Sequence, residues 1–364
     1  MINRVIISGG GTGGHIFPAI AIADEIKRRF PEVSILFIGA EGRMEMEKIP
    51  QAGYSIQGLR IAGFKRSLAF SNFLLPFKII GSMLKARKII KSFNPEIVIG
   101  VGGYASGPTL KVAAWLGIKT LIQEQNSFPG KTNLLLAKKA SLICTAYADM
   151  DKFFPAEKIM LTGNPIRKDI VDIESKKTEA YTYYNLDPNK KTILIIGGSL
   201  GARTLNEAVE NELSSLAENK EIQTLWQCGK LYFDQISERV SLPEQVKLNK
   251  FIDRMDLAYA AADLIISRAG ATSISELCIV AKPLILVPSP NVSEDHQTKN
   301  AMSLVNIDAA VLIKDTQAKV HLLKKAFEIL ADSNQMSVLS KNCSHLGKPN
   351  ATKEIVDAVQ SLIN

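Results

Sequence analysis

The sequence predicts an α/β protein built from two Rossmann-like domains whose parallel sheets face each other across a cleft. Three observations lead there. Short apolar, β-branched runs alternate with helical stretches of roughly 10–15 residues, the pattern of βαβ units with buried strands. A strand-like run feeds a glycine-rich loop and then a helix twice, at residues 5–19 and 193–208. The chain has 364 residues, enough for roughly two to three domains and real cores.

The first series of strand-like runs is Val5–Ser8, Ile35–Ile38, Ile97–Val101, Thr120–Gln123 and Leu142–Thr145. The second is Thr192–Ile196, Gln223–Trp226, Leu264–Ser267 and Leu284–Val287. Between them, residues 172–191 are charged and poor in aliphatic side chains, with a turn signal at Asp187-Pro188-Asn189. The junction is expected near 163–168, giving domains 1–163 and 164–364. The last helix is the one element that could return to the first domain.

Composition narrows the function. Hydrophobic residues make up 46% and charged residues 22%, an ordinary globular balance that excludes a disordered or collagen-like chain. The four cysteines and four histidines have no ligand spacing, so a metal site is not expected and free thiols are. The chain opens directly into a strand-like run, so no targeting leader is expected, and no uncharged apolar run is long enough to span a membrane. Residues 1–163 hold 21 Lys/Arg and 11 Asp/Glu, a charge of +10; the remainder holds 23 and 25, a charge of −2. A basic first half suits phosphorylated ligands or anionic lipid. Aromatics are only 7% and do not interleave with the basic residues, which argues against nucleic acid.

The first glycine loop, GGGTGGH (9–15), suits phosphate at a helix start, with Pro18 expected in the first helical turn. Through Gly9, Gly11 and Gly14 it also satisfies a dinucleotide fingerprint, with Glu41 after the next strand where a ribose would sit. A nicotinamide enzyme is therefore a rival from this segment. His15 lies at the loop's mouth, where a helix N-terminus disfavours imidazolium. It is either a general base or a side chain that merely bonds the loop. The second loop, GGSLGA (197–202), offers backbone N–H groups and the Ser199 hydroxyl to a diphosphate.

Ser273 and Glu276 in RAGATSISE (268–276) have capping-box spacing, the simpler reading; the alternative is a carboxylate that accepts from a ribose diol. Asn126 ends a strand where α/β proteins bind ligands, or is a turn residue. Arg167 in GNPIR (163–167) either reaches the cleft or lies on the surface, and Asp295 in DHQ (295–297) is an N-cap candidate. Between about residues 72 and 91, Phe73, Phe77, Ile80 and Leu84 share a helical face, widened by Leu75, Ile79 and Met83, with Lys78 and Lys85 opposite. Together with Lys65 and Arg66 this suits a membrane surface, although core packing explains part of the arc.

These motifs together resemble the MurG family of peptidoglycan N-acetylglucosaminyltransferases. The matching segments are GGGTGGHIFPA (9–19), GVGGYASGP (100–108), EQNSFPGKTN (124–133), GNPIR (163–167), GGSLGA (197–202), FIDRM (251–255), SRAGATSISE (267–276) and DHQTKNA (295–301). They run in order over most of the chain. The resemblance implies a GT-B fold and an inverting, metal-independent transfer with no cofactor. The donor it implies is UDP-N-acetylglucosamine, and the acceptor is undecaprenyl-diphosphate-linked N-acetylmuramoyl-pentapeptide. Its setting would be cell-wall synthesis at the cytoplasmic face of an anionic cell membrane, held peripherally.

By that resemblance the nucleotide belongs to the C-terminal domain. The Ile252 backbone would meet uracil, Glu276 the ribose, and Ser199 with Ala271, Thr272, Ser273, Ile274 and Ser275 the diphosphate. Asn126 and Gln297 would hold the sugar, and Arg167, Thr12, Gly13 and Gly14 belong to the donor pattern. Gly11, Tyr104, Ser106, Gly107 and Pro108 would meet the acceptor diphosphate, with His15 the candidate base. A related transferase with another lipid acceptor would look alike on the donor side. A non-enzymatic nucleotide-sugar binding subunit would bind UDP and turn nothing over.

Overall fold

The apolar runs become strands with both faces covered: Val5, Ile6, Ile7, Ile97, Val98 and Ile99 are all fully buried, and so are Ile193, Leu194 and Ile195. The computed structural model describes residues 2–61, 75–166, 170–292 and 295–364. It divides into two units: residues 1–166 with 348–364, and residues 167–347.

In the first unit the described elements run β1 (Arg4–Ser8), α1 (Gly13–Arg29), β2 (Ser34–Ala40), α2 (Glu45–Gln51), β3 (Ser55–Leu59) and α3 (Leu75–Phe93). They continue through β4 (Ile97–Gly100), α4 (Ser106–Trp115), β5 (Lys119–Glu124), α5 (Lys131–Ala137), β6 (Leu142–Thr145) and β7 (Ile159–Leu161). The second unit holds α6 (Lys177–Tyr184), β8 (Lys191–Ile196), α7 (Arg203–Asn211), α8 (Leu213–Glu218), β9 (Ile222–Gln227), α9 (Phe233–Arg239) and β10 (Val246–Asn249). After these come α10 (Met255–Ala261), β11 (Leu264–Ser267), α11 (Ala271–Val280), β12 (Leu284–Leu286), α12 (His296–Val305), β13 (Val311–Leu312), α13 (Asp315–Ala331) and α14 (Ser333–His345). The chain then returns to the first unit as α15 (Ala351–Ile363). There Ile355, Val356 and Val359 are fully buried among Ile22, Ile26 and other first-unit residues, and Arg29 on α1 pairs with Asp357.

Both sheets are wholly parallel, ordered β3-β2-β1-β4-β5-β6-β7 and β10-β9-β8-β11-β12-β13. Each order reverses beside its first strand, between β1 and β4 and between β8 and β11. Loops diverge at such a switch point and leave a crevice at the strands' carboxyl ends, where ligands of this architecture bind. The two glycine loops leave from those ends.

Four strands escape the sequence pattern: β3, β7, β10 and β13. All four are sheet edges, and β3 carries alternating exposure rather than an apolar run. Two local expectations are corrected. Helix α1 already starts at Gly13, so Pro18 sits in its second turn, where it removes the N–H that would bond the Gly14 carbonyl. The charged stretch at 172–191 is not a bare spacer. It holds α6, anchored by Tyr184 Oη donating to the Arg254 carbonyl at 2.8 Å and by Lys176 on Asp256 at 2.9 Å.

Candidate active site

In the first unit, the loop after β1 is fixed before any ligand arrives. The Thr12 carbonyl accepts from the N–H groups of His15 and Ile16 at 3.1 and 3.2 Å, which starts α1 and leaves the N–H groups of its first turn at the loop. The Gly11 N–H is already taken by the Glu45 carboxylate at 2.8 Å. That bond occupies the N–H of the glycine expected to meet the acceptor diphosphate. His15 Nδ1 lies 3.0 Å from the Gly10 carbonyl. A carbonyl only accepts, so Nδ1 donates; in the neutral ring the lone pair then falls on Nε2, the form a general base needs.

The loop after β4 packs on the same place. Tyr104 is half exposed, so its ring can meet a ligand. Ser106 is fully buried; its hydroxyl donates to the Ser8 carbonyl at 2.6 Å and lies 2.9 Å from that of Gly102. It therefore ties the β4 loop to β1, and Pro108 is buried beside it while Gly107 is half-buried. Glu41, the ribose ligand of the nicotinamide reading, instead holds Lys85 at 2.8 Å and Arg60 at 3.3 Å. Lys85 in particular keeps its carboxyl below the usual range.

At the end of β5, sequence reasoning named Asn126 and missed the residue that fixes it. Glu124 is buried, and it accepts from the Asn126 N–H at 3.0 Å, Asn126 Nδ2 at 3.2 Å, the Gly130 N–H at 3.2 Å and Asn133 Nδ2 at 2.8 Å. The side-chain amide of Asn126 is thereby oriented. The signal was present, a carboxylate closing a strand ahead of a polar turn, but its partners lie up to nine residues on.

In the second unit the loop after β8 is braced by neutral groups. Gln227 Nε2 donates to the Gly198 carbonyl at 3.0 Å, while Asn206 Nδ2 holds the Cys228 carbonyl just beyond β9 at 3.0 Å. Gly201 sits at φ +91°, and a Cβ there would stand 2.1 Å from the Cys228 carbonyl oxygen, so only glycine fits. Burial pushes the Cys228 thiol up to about 11, so it stays uncharged beside the loop at neutral pH. Ser199 and Leu200 are exposed at the loop's tip.

Helix α11 corrects the capping-box reading. The helix begins at Ala271 with Gly270 as N-cap, two residues before Ser273. Glu276 is consequently well inside it, buried, and accepts from Tyr259 Oη at 3.2 Å. Its carboxylate is held by a tyrosine rather than spent on a cap, which suits a ribose ligand. The Thr272 hydroxyl at the helix start is buried without a partner among the described residues. Buried polar atoms are normally paired, so this hydroxyl leaves a hydrogen bond unused at the helix start. Ala271, Ser273 and Ser275 are half-buried around it and Ile274 is buried.

The Ile252 N–H donates to Gln227 Oε1 at 2.9 Å, so the same glutamine that braces the glycine loop also sets the Phe251–Ile252 backbone. Gln297, at the start of α12, accepts from the N–H groups of Ala269 and Ser289 at 3.2 and 2.8 Å. That fixes the orientation of its amide next to the α11 start. Asp295 is the N-cap of α12, with left-handed φ 53°. Arg167 lies outside the described residues. Among the described residues, no group of three His, Cys, Asp or Glu side chains is placed to hold a metal ion.

Comparison with known proteins agrees with this fold. Residues 5–145 match the glycosyltransferase family 28 N-terminal domain, and residues 192–359 match the glycosyltransferase family 28 C-terminal domain. The chain is 54% identical over 361 residues to a protein of Christiangramia forsetii named UDP-N-acetylglucosamine--N-acetylmuramyl-(pentapeptide) pyrophosphoryl-undecaprenol N-acetylglucosamine transferase, covering 99% of this chain and 98% of that one. A Flavobacterium psychrophilum protein of the same name is also 54% identical, with the same coverage. The crystal structure of Acinetobacter baumannii MurG superposes with a TM-score of 0.80 at 29% identity, over 99% of both chains. The glycosyltransferase of kitacinnamycin, at 14% identity and a TM-score of 0.73, shares the fold. The chain belongs to glycosyltransferase family 28 and, within it, to the MurG family.

Proposed function

We propose that the protein transfers N-acetylglucosamine from UDP-N-acetylglucosamine to the 4-hydroxyl of undecaprenyl-diphosphate-linked N-acetylmuramoyl-pentapeptide. The observation that carries this is the full-length likeness to transferases named for that reaction, joined to a glycine loop at the switch point of each sheet. In this reading the second unit takes the donor. Glu276 accepts from the ribose, the α11 start and the loop with Ser199 surround the diphosphate, and the Phe251–Ile252 backbone meets uracil. Gln297 and Asn126 orient the sugar, with Arg167 and the N–H groups at Thr12, Gly13 and Gly14 on the donor side.

The first unit takes the acceptor near the loop that carries His15 and Tyr104. The acceptor oxygen attacks the anomeric carbon from the face opposite UDP. Its proton passes to His15 Nε2, and the bond from the anomeric carbon to the diphosphate oxygen breaks. UDP leaves with that electron pair, stabilised by N–H groups at the helix start. The anomeric configuration is inverted.

The membrane reading rests on the first unit's surface. Helix α3 buries Ser82, Ala86, Ile89 and Ile90, while Ile80 and Leu84 stand 56% and 62% exposed. Lys78 is exposed beside them. Trp115 on α4 is 58% exposed with Lys111 5.6 Å over its ring, and Leu135 on α5 is 81% exposed. Apolar tips among lysines suit a peripheral seat on the cytoplasmic face of an anionic membrane. No helix among the described residues is long and apolar enough to cross a membrane. Lys65, Arg66 and Phe73 lie outside the described residues.

The test is transfer of labelled N-acetylglucosamine from UDP-N-acetylglucosamine to the lipid-linked muramoyl-pentapeptide with EDTA present. A new β-1,4-linked product is expected. Stabilisation by UDP without product would keep the donor site and point to another lipid acceptor.

A further inference from the structure

We propose that Glu45 is the positioning residue for His15: its carboxylate sets the glycine loop so that the Gly10 carbonyl holds Nδ1–H and Nε2 is offered to the acceptor hydroxyl. This rests on the reading of His15 as the base.

Glu45 opens α2 and is 1% exposed. Burying a carboxylate is costly unless hydrogen bonds replace its water. Here Oε2 accepts from the Gly11 N–H at 2.8 Å and Oε1 from the Ala40 N–H at 3.0 Å. Those two N–H groups lie just beyond the carboxyl end of β1 and at the end of β2. One side chain thus ties the catalytic loop to the neighbouring strand. The chain makes room for it twice: a Cβ on Gly10 would stand 2.2 Å from the carboxylate carbon, and one on Gly39 would stand 2.6 Å from Cγ.

The loop so held determines the histidine. The Gly10 carbonyl is 3.0 Å from His15 Nδ1. On the far side the ring rests against Gly102, at φ +93°, where a Cβ would stand 2.9 Å from both Cδ2 and Nε2. The imidazole is therefore fitted between a carbonyl that fixes its tautomer and a glycine that gives it space. The Gly10 carbonyl and the Gly11 N–H belong to one planar peptide unit, so a shift of the Gly11 N–H away from Glu45 rotates the very carbonyl that the ring depends on. A small misplacement of a base is expensive in rate.

The experiment is a double-mutant cycle on the full chain with E45Q and H15A, read as kcat and as KM for UDP-N-acetylglucosamine. Glutamine keeps the shape and one acceptor oxygen but turns an NH2 toward a backbone N–H. E45Q is expected to lower kcat by roughly 10- to 100-fold with the donor KM unchanged, and to slow H15A no further. The 15N signals of the His15 ring give a second reading: the Nδ1–H tautomer in the wild type, and its loss in E45Q. If E45Q does not fold, G102A replaces it, displaces the ring from the opposite side, and is expected to show the same lack of additivity. Equal slowing of wild type and H15A by E45Q would reduce Glu45 to a structural support and overturn the proposal, as would wild-type kcat in E45Q. Wild-type turnover in H15A would remove the base reading instead; the tautomer signal then decides separately whether Glu45 sets the ring.

Discussion

The loops after β1 and β8 are two versions of one plan, strand, glycines and helix, and they differ in what braces them. The first is gripped by the buried carboxylate of Glu45 and carries a titratable ring at its mouth. The second is gripped by the side-chain amide of Gln227, beside a thiol that stays neutral. The carboxylate takes up a loop N–H that a phosphate could otherwise use, whereas Gln227 bonds a loop carbonyl and takes no loop N–H. The difference suits a division of labour. In the proposed reading the second loop takes the departing diphosphate, and the first spends one N–H on fixing the proposed base. Repetition of a motif therefore does not imply repetition of its task; the neighbours that hold it decide.

The comparison can be broken most severely at His15. H15A is expected to lower turnover by roughly 100-fold or more while leaving UDP affinity intact. Steady-state kinetics with saturating donor checks it, and an unchanged rate removes the histidine from the chemistry. Next in size is G201A. Its left-handed φ and the nearby Cys228 carbonyl leave no room for a methyl group. A cost of about 1–3 kcal/mol from backbone strain is expected to appear as weaker UDP binding by calorimetry, with the first loop untouched.

Glu276 sharpens the donor side. In the proposed donor site E276Q removes a charge-assisted bond to the ribose, worth about 1.5–3 kcal/mol, so UDP affinity is expected to fall roughly 10- to 100-fold. The 2′,3′-dideoxy nucleotide is expected to be indifferent to the change, which a purely structural role for Glu276 would not produce. The smallest effect is acid sensitivity of the second unit. Arg254, at 2.9–3.0 Å, and then Lys176 hold the buried Asp256 carboxyl well below its ordinary range. A depressed native pKa stabilises above the unfolded value and is lost as pH falls through the folded one. Its contribution is therefore complete above about pH 4 and declines in stronger acid. D256N is expected to lower the melting temperature by a few degrees at pH 7 and to flatten that acid dependence.

Much of this was legible in the chain. The central strands announced themselves as β-branched runs because both their faces are buried. The glycine loops showed because a tight turn before a helix demands that composition. Edge strands did not, since β3 alternates exposed and covered residues and β13 spans only Val311–Leu312. The spacing of Ser273 and Glu276 misled because it is a helix-start signature, and the helix begins earlier, at Ala271. Glu45 was invisible for a different reason. Its partners are backbone N–H groups at Gly11 and Ala40, and a sequence carries no mark of a side chain that bonds distant main chain. Tyr259 was hidden likewise, 17 residues before the glutamate it holds.

The contrast between the loops is tested most directly by titrating UDP into H15A and G201A side by side. The account predicts wild-type affinity in H15A and weakened binding in G201A. Weakened binding in H15A with full affinity in G201A would contradict it, because the departing diphosphate would then belong to the first loop.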